Sequence, residues 1–361
     1  MRQKPKKIIP FIALAVFFSL AGLRAQELST LEHNTYAGRF NSLVKVDADT
    51  YVASYQGQSQ DGFISTFTVS ADGTSITEVT RLEHDTGHLY QSSLVQVDSD
   101  TYLCAYGNNS GGQITTFTVS ADGSTLTKVQ TLLHGSGMPK QGGWSLVQVD
   151  SDTYALAYAG TNNDGYITTF TVPADGSTIT EVATLEHDTQ NGEYNSFVQV
   201  DSDTYALAYT GDGTDGYITT FTISADGSTI TEVATLEHDN AIGRYNSLVQ
   251  VDSDTYALAY SGDGDDGYIA TFTIPTDGSS ITEVASFEHD LTLGRTNSIV
   301  QVDADTYLLT YEGEGTDGYI KTFTIQSDGS MGSTAISGNA GFRMLSSPLA
   351  GQVYSDLLDE L

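Results

Sequence analysis

Six short segments of this chain set aromatic rings, amides and guanidinium groups side by side. They are Arg39-Phe40-Asn41, Tyr90-Gln91-Ser92, Gly142-Gly143-Trp144, Glu193-Tyr194-Asn195, Arg244-Tyr245-Asn246 and Arg295-Thr296-Asn297. A flat apolar face next to bidentate donors is what a sugar or peptide site uses. The ligand-binding candidates are therefore Arg39, Phe40, Tyr90, Trp144, Tyr194, Asn195, Arg244, Tyr245, Asn246 and Arg295. The plainer alternative is that the rings pack a channel mouth and the Asn side chains cap turns. The stretch leading to Trp144, LLHGSGMPKQGGW, departs most from the others and carries Met138, Lys140 and the one Trp of the chain.

A second group of candidates lies in glycine-acid loops: Gly211–Gly216, Gly262–Gly267 and Gly313–Gly318. Closely spaced carboxylates separated by Gly can wrap an oxygen-seeking cation. On that reading Asp212, Asp215, Asp263, Asp265, Asp266, Glu314 and Asp317 are candidate Ca²⁺ ligands. None of the loops has the full EF-hand spacing with its distal Glu, and tight-turn chemistry accounts for Asp-Gly equally well. Six His recur, at His33, His84, His134, His187, His238 and His289. They fall on equivalent positions of a repeat, so they cannot meet at one metal, and a structural role is expected, such as a hydrogen bond to a neighbouring loop. No G-x-S-x-G elbow, P-loop or metal triplet is present. The polar residues recur in equivalent settings, whereas a catalytic group needs a singular perturbed one. The chain therefore reads as non-catalytic.

The elements that position these residues are legible in Tyr194–Asp239, YNSFVQVDSDTYALAYTGDGTDGYITTFTISADGSTITEVATLEHD. Four apolar-alternating runs rich in Val, Ile, Thr, Tyr and Phe are separated by Asp, Gly and Ser, which is how strands between tight turns read. Ala225-Asp226-Gly227-Ser228 places Asp-Gly at a hairpin tip. The recurring His mark copies 50 to 53 residues apart. A period near fifty with four strands per copy marks a β-propeller blade. The chain is expected to be all-β, a six-bladed β-propeller of four-stranded antiparallel blades. Three-strand sets begin near Asn41, Ser92, Trp144, Asn195, Asn246 and Asn297, while the fourth-strand pattern first occurs ahead of them, at Glu27–His33. Closure of the ring by this N-terminal strand, paired with Tyr319–Ile325, follows as an expectation; it would hide two open edges.

The order of the strands resembles the YVTN-type propeller repeats of secreted and surface-layer bacterial proteins, with VQVDSDTYALAY standing where that family has a run ending in Asp-Gly before a Tyr-containing strand. Asp-Ser-Asp-Thr replaces the family's Pro-Asp-Gly, and the likeness, over residues 26–326, is one of architecture. It implies an exported or cell-surface propeller and no particular activity.

Residues 1–25 combine Arg2, Lys4, Lys6 and Lys7 with the apolar run Ile8–Ala21, and read as a cleaved secretory signal. No later stretch is long and apolar enough to span a bilayer. Residues 26–330 form the propeller, and 331–361 a linker or the start of a further module of a longer polypeptide. The formal charge of −32 disfavours nucleic acid and anionic membranes as partners. Cys104 has no intrachain mate and reads as a buried small hydrophobe. The sequence thus leads to a secreted or cell-surface, non-catalytic binding or adhesion propeller that recognises a glycan or protein through its axial rim, with no certain cofactor beyond candidate Ca²⁺. The alternative is an extracellular propeller hydrolase or lyase with its site in the central channel.

Overall fold

The computed structural model describes residues 28–136 and 143–331. Residues 1–27, with the expected secretory signal, and residues 332–361 lie outside this range, as do Lys140 and its neighbours. The first blade is a meander of β1 (Arg39–Lys45), β2 (Thr50–Gln56), β3 (Asp61–Val69) and β4 (Ile76–His88). The strands hydrogen-bond in chain order, all antiparallel. Four further sheets repeat this order, and a sixth contains three strands, Arg295–Gln301, Thr306–Glu312 and Gly318–Thr324. The molecule is a six-bladed all-β propeller.

The second strand of each blade lies in the middle of the packing, and its sequence shows why. In Thr204-Tyr-Ala-Leu-Ala-Tyr-Thr210 every residue is buried, because each face meets a neighbouring blade. A strand buried on both faces reads as a nearly continuous apolar run, and alternating Ala with Tyr and Leu lets adjacent sheets interlock. The core is accordingly a set of clusters shared between blades: Ala206 and Ala208 of blade four pack with Leu248, Tyr256 and Leu258 of blade five.

Two kinds of hydrogen bond repeat from blade to blade. The Ser at the centre of each inner strand accepts from the next inner strand, as Leu94 N–H to Ser42 Oγ (3.0 Å) and Phe197 N–H to Ser145 Oγ (3.0 Å). A third-strand Thr donates to the carbonyl at the next blade's hairpin tip, as Thr169 Oγ1 to Gly227 O (2.7 Å) and Thr220 Oγ1 to Gly278 O (2.7 Å). The tips need glycine because φ is +70° at Gly227 and +64° at Gly278.

The seam between blades six and one differs. Among the described residues neither bond is made there. Leu43 is 63 % exposed where its counterpart Leu94 is 5 %, and Ile320 is 69 % exposed where Ile218 is 0 %. Leu28–His33 is not hydrogen-bonded as a fourth strand of blade six, so that expected pairing is not formed; Glu27 lies outside the described residues. His33 nonetheless rests on blade one as the other His rest on their next blades. Its ring lies edge-on to Tyr55 (4.5 Å) and Phe67 (5.9 Å), as His187 lies on Tyr209 (4.7 Å) and Phe221 (5.8 Å). The N-terminal segment therefore takes the outer-strand place relative to blade one without joining the sheet of blade six. Among the described residues no helix is long and apolar enough to cross a membrane.

Candidate functional site

At the start of each inner strand the backbone leaves the extended conformation. Phe40, Gln91, Gly143, Tyr194, Tyr245 and Thr296 occupy equivalent places, and all have positive φ, between +39° and +68°. In blades one, four, five and six this residue and the next oppose a single residue of the second strand, the two-against-one count of a β-bulge. A left-handed conformation is unusual for aromatic residues and a true outlier for a β-branched one such as Thr296. Each such residue costs about 1–3 kcal/mol and persists where surrounding structure imposes it.

The residue after the bulge supplies the restraint. Asn246 Nδ2 donates to Tyr194 O and to Gly243 O, both at 3.2 Å, and Asn297 Nδ2 donates to Tyr245 O (3.3 Å) and Gly294 O (2.9 Å). Asn195 Nδ2 makes the same pair of bonds to Gly143 O and Gly192 O, at 3.0 and 2.8 Å. Each amide thus ties the left-handed residue of one blade to the turn of the next. Turn capping by Asn, the plainer sequence alternative, is realised together with a place on the axis.

These bulges enclose an axial chamber of about 760 Å³. Of the sequence candidates, Phe40, Trp144, Tyr194, Asn195, Tyr245 and Asn246 line it. Gln91, Thr296 and Asn297, of the same triplets but not among the candidates, line it too. Tyr194 and Tyr245 face each other with ring centroids 4.6 Å apart and tilted by 54°. Trp144 is buried and stacks on Tyr158 at 5.6 Å, nearly parallel. Arg39, Tyr90, Arg244 and Arg295 do not line the chamber. They precede the bulge, which turns the following two residues to the axis and leaves this one on the rim between blades. Arg295 is accordingly ion-paired with Asp265 of the preceding blade, and Tyr90 Oη lies 3.1 Å from His88 Nδ1.

That rim position holds one carboxylate among the described blades, Glu193, one residue before Tyr194. Glu193 is half-buried, and burial raises its carboxyl above the ordinary range despite the opposing charge of Arg244. Burial also pushes the Tyr194 phenol up, with Tyr245 adding to the effect, so the hydroxyl stays protonated. Sequence reasoning passed over Glu193 because it stands within a recurring triplet; its being the acid where other blades carry Arg or Tyr was the available signal.

The glycine-acid loops form short 3-10 turns closed by backbone bonds. Gly211 N–H donates to Asp215 O (2.9 Å) and Thr214 N–H to Gly211 O (3.1 Å), with φ of +70° at Gly213. Asp263 and Asp265 sit in the equivalent turn and Glu314 in that of blade six, each closed onto Asp266 and Asp317. Among the described residues no three His, Cys, Asp or Glu side chains gather where they could hold a metal ion. Of the recurring His, His134 bonds through Nδ1 to Glu181 of the next blade, whereas both ring nitrogens of His84, His187, His238 and His289 are buried with no protein partner. Burial alone lowers the imidazoles of His187 and His238 to about 3. Cys104 is buried, as expected, and burial raises its thiol to about 12.

Left-handed residues from six blades around a lined axis, on meandering antiparallel sheets, define a propeller with an axial cavity. No protein-family model matches the chain, and no match is found among curated proteins. Solved structures do match. A putative 6-phosphogluconolactonase from Bacteroides fragilis superimposes with a TM-score of 0.62 at 14 % identity, over 81 % of this chain and 82 % of that one. The periplasmic gluconolactonase of Pseudomonas aeruginosa gives 0.63 at 15 %, over 81 % and 84 %. The α-L-arabinofuranosidase of Fusarium graminearum gives 0.52 at 12 %, over 80 % and 93 %. At these identities the likeness is one of fold. It nevertheless corrects the sequence reading: the propellers similar to this chain bear the names of lactonases and glycoside hydrolases, which leaves the non-catalytic binding or adhesion module without support.

Proposed function

We propose that the protein is an exported hydrolase that opens a sugar lactone in the axial chamber. The observation that carries this reading is the chamber itself: left-handed residues from all six blades converge on it, five of them non-glycine and strained, with two tyrosines and a tryptophan beside amides. Strain concentrated at one place is a pointer to function, and aromatic faces with amides suit a hydroxylated ring. The similar propellers named as lactonases superimpose more closely than the glycosidase. Chemistry favours the same choice. Glycoside hydrolysis by the common route needs two carboxyl groups flanking the bond. Glu193 is the carboxyl group that adjoins the chamber-lining tyrosines in the described chain.

Lactone hydrolysis needs one base and water. Glu193 stands on the rim and not in the chamber wall; deprotonated, it takes a proton from a water molecule at the chamber mouth, whose oxygen bonds to the lactone carbonyl carbon. The tetrahedral intermediate collapses, the ring C–O bond breaks, and the proton passes to the departing alkoxide oxygen, giving the open hydroxy acid. Tyr194 and Tyr245 hold the sugar ring against one wall. Export is inferred from residues 1–25. The test is a pH–rate profile on an aldonolactone, corrected for spontaneous opening. The rate should rise with pH through the raised pKa of Glu193, and Glu193→Gln should lower kcat by about 10²–10⁴-fold, the usual yield of general base catalysis. A Glu193→Gln variant with unchanged rate and profile removes Glu193 from the mechanism.

A further inference from the structure

We infer that the chamber selects an uncharged sugar lactone and rejects phosphorylated or carboxylated ones; this rests on the reading of the chamber as the hydrolytic site. Among the described residues its wall contains no charged side chain: it is built of aromatic rings, amides, hydroxyls and backbone. The cations nearest in sequence are directed elsewhere. Arg295 is paired with Asp265, and Arg39 is exposed on the rim of blade one. Recognition of a phosphate or carboxylate calls for Arg, Lys or a cluster of free N–H donors. Here the amide donors of Asn246 and Asn297 are already committed to backbone carbonyls.

Desolvating an anion without a partner is strongly unfavourable. The chain's formal charge of −32 adds a repulsive field that lowers the local concentration of anions. Neutral hydroxyls avoid both costs, donating to amide carbonyls and stacking their C–H faces on Tyr194 and Tyr245.

The experiment compares kcat/KM for a neutral aldono-δ-lactone, its 6-phosphorylated counterpart and a uronic-acid lactone, in the parent, in Thr296→Lys and in Lys140→Ala. Thr296 lines the chamber, so its replacement places a cation inside. The parent should prefer the neutral lactone by on the order of 100-fold or more, because the anion would be buried unpaired. Thr296→Lys should narrow that preference by about 10- to 100-fold, the range of one charge-assisted hydrogen bond. Lys140→Ala should leave the ratio unchanged. Turnover of both lactones with the phosphorylated one equal or better overturns the inference while leaving the hydrolytic reading intact, as does a ratio that depends on Lys140. If no lactone is opened above the spontaneous rate, the hydrolytic reading itself fails and the selectivity falls with it.

Discussion

At the scale of single residues, the recurring His and Gly explain each other. An ideal Cβ on Gly216 would lie 2.6 Å from both Cε1 and Nε2 of His238, and 3.1 Å from Gly243 Cα. The ring presses on this glycine from one side and on Tyr260 and Phe272 of the next blade from the other. Gly216→Ala should therefore destabilise by about 1–3 kcal/mol through overpacking, read as a shift in denaturant midpoint. Gly318 holds the same place in blade six, and nothing lies within 4 Å of its Cβ position. Gly318→Ala should be within about 0.5 kcal/mol of the parent. A cost equal to that of Gly216→Ala would mean that Glu27–His33 does pair with Tyr319–Ile325 and brings His33 over this glycine. Legibility at this scale was partial. Residue type alone singled out Tyr194, Tyr245 and Trp144 as chamber residues. It could not separate them from Arg39, Arg244 and Arg295, since a bulge decides which of three consecutive side chains faces the axis. Glu193 was hidden for the same reason.

At the scale of elements, the blades were plain in the sequence because four strands, their hairpin Asp-Gly and the His landmark recur together. The glycine-acid loops were harder, since Asp beside Gly serves a turn and a cation alike. Their backbone bonds close each turn. Melting in CaCl₂ and in NaCl of equal ionic strength should give equal shifts if the loops act as turns, because screening alone then acts. A larger rise in calcium, lost in the combined Asp263→Asn and Asp266→Asn variant, would show calcium binding at these loops. The seam was beyond the sequence, because the match of Leu28–His33 to an outer strand specifies its contacts with blade one equally well whether or not the sheet edge of blade six is joined.

At the scale of the whole molecule, the buried imidazoles make stability depend on pH. His187 and His238 titrate near 6.5 when unfolded and at about 3 when folded, lowered by burial. Below pH 6.5 the unfolded chain binds protons that the folded one cannot, so stability present above pH 6.5 is lost as pH falls toward 3. Each contributes a slope of about 1.4 kcal/mol per pH unit in that window. The hairpin carboxylates Asp72, Asp122 and Asp226 are lowered to about 2 by neighbouring hydroxyl and amide donors, and their contribution is lost only at more acid pH. Urea titrations between pH 7 and 4 should therefore show a steep decline, shallower in His187→Leu by one proton's slope. A flat profile would mean that the rings accept protons in the folded state.

The central claim is that the axial chamber opens sugar lactones, and the most direct measurement is hydrolysis of a neutral aldono-δ-lactone by the parent and by the Tyr194→Ala, Tyr245→Ala double variant. These rings form one wall of the chamber, so a folded double variant, checked by its melting transition, should lose at least about tenfold in kcat/KM through lost positioning. No acceleration by the parent over the spontaneous rate, or a folded double variant as active as the parent, would contradict it.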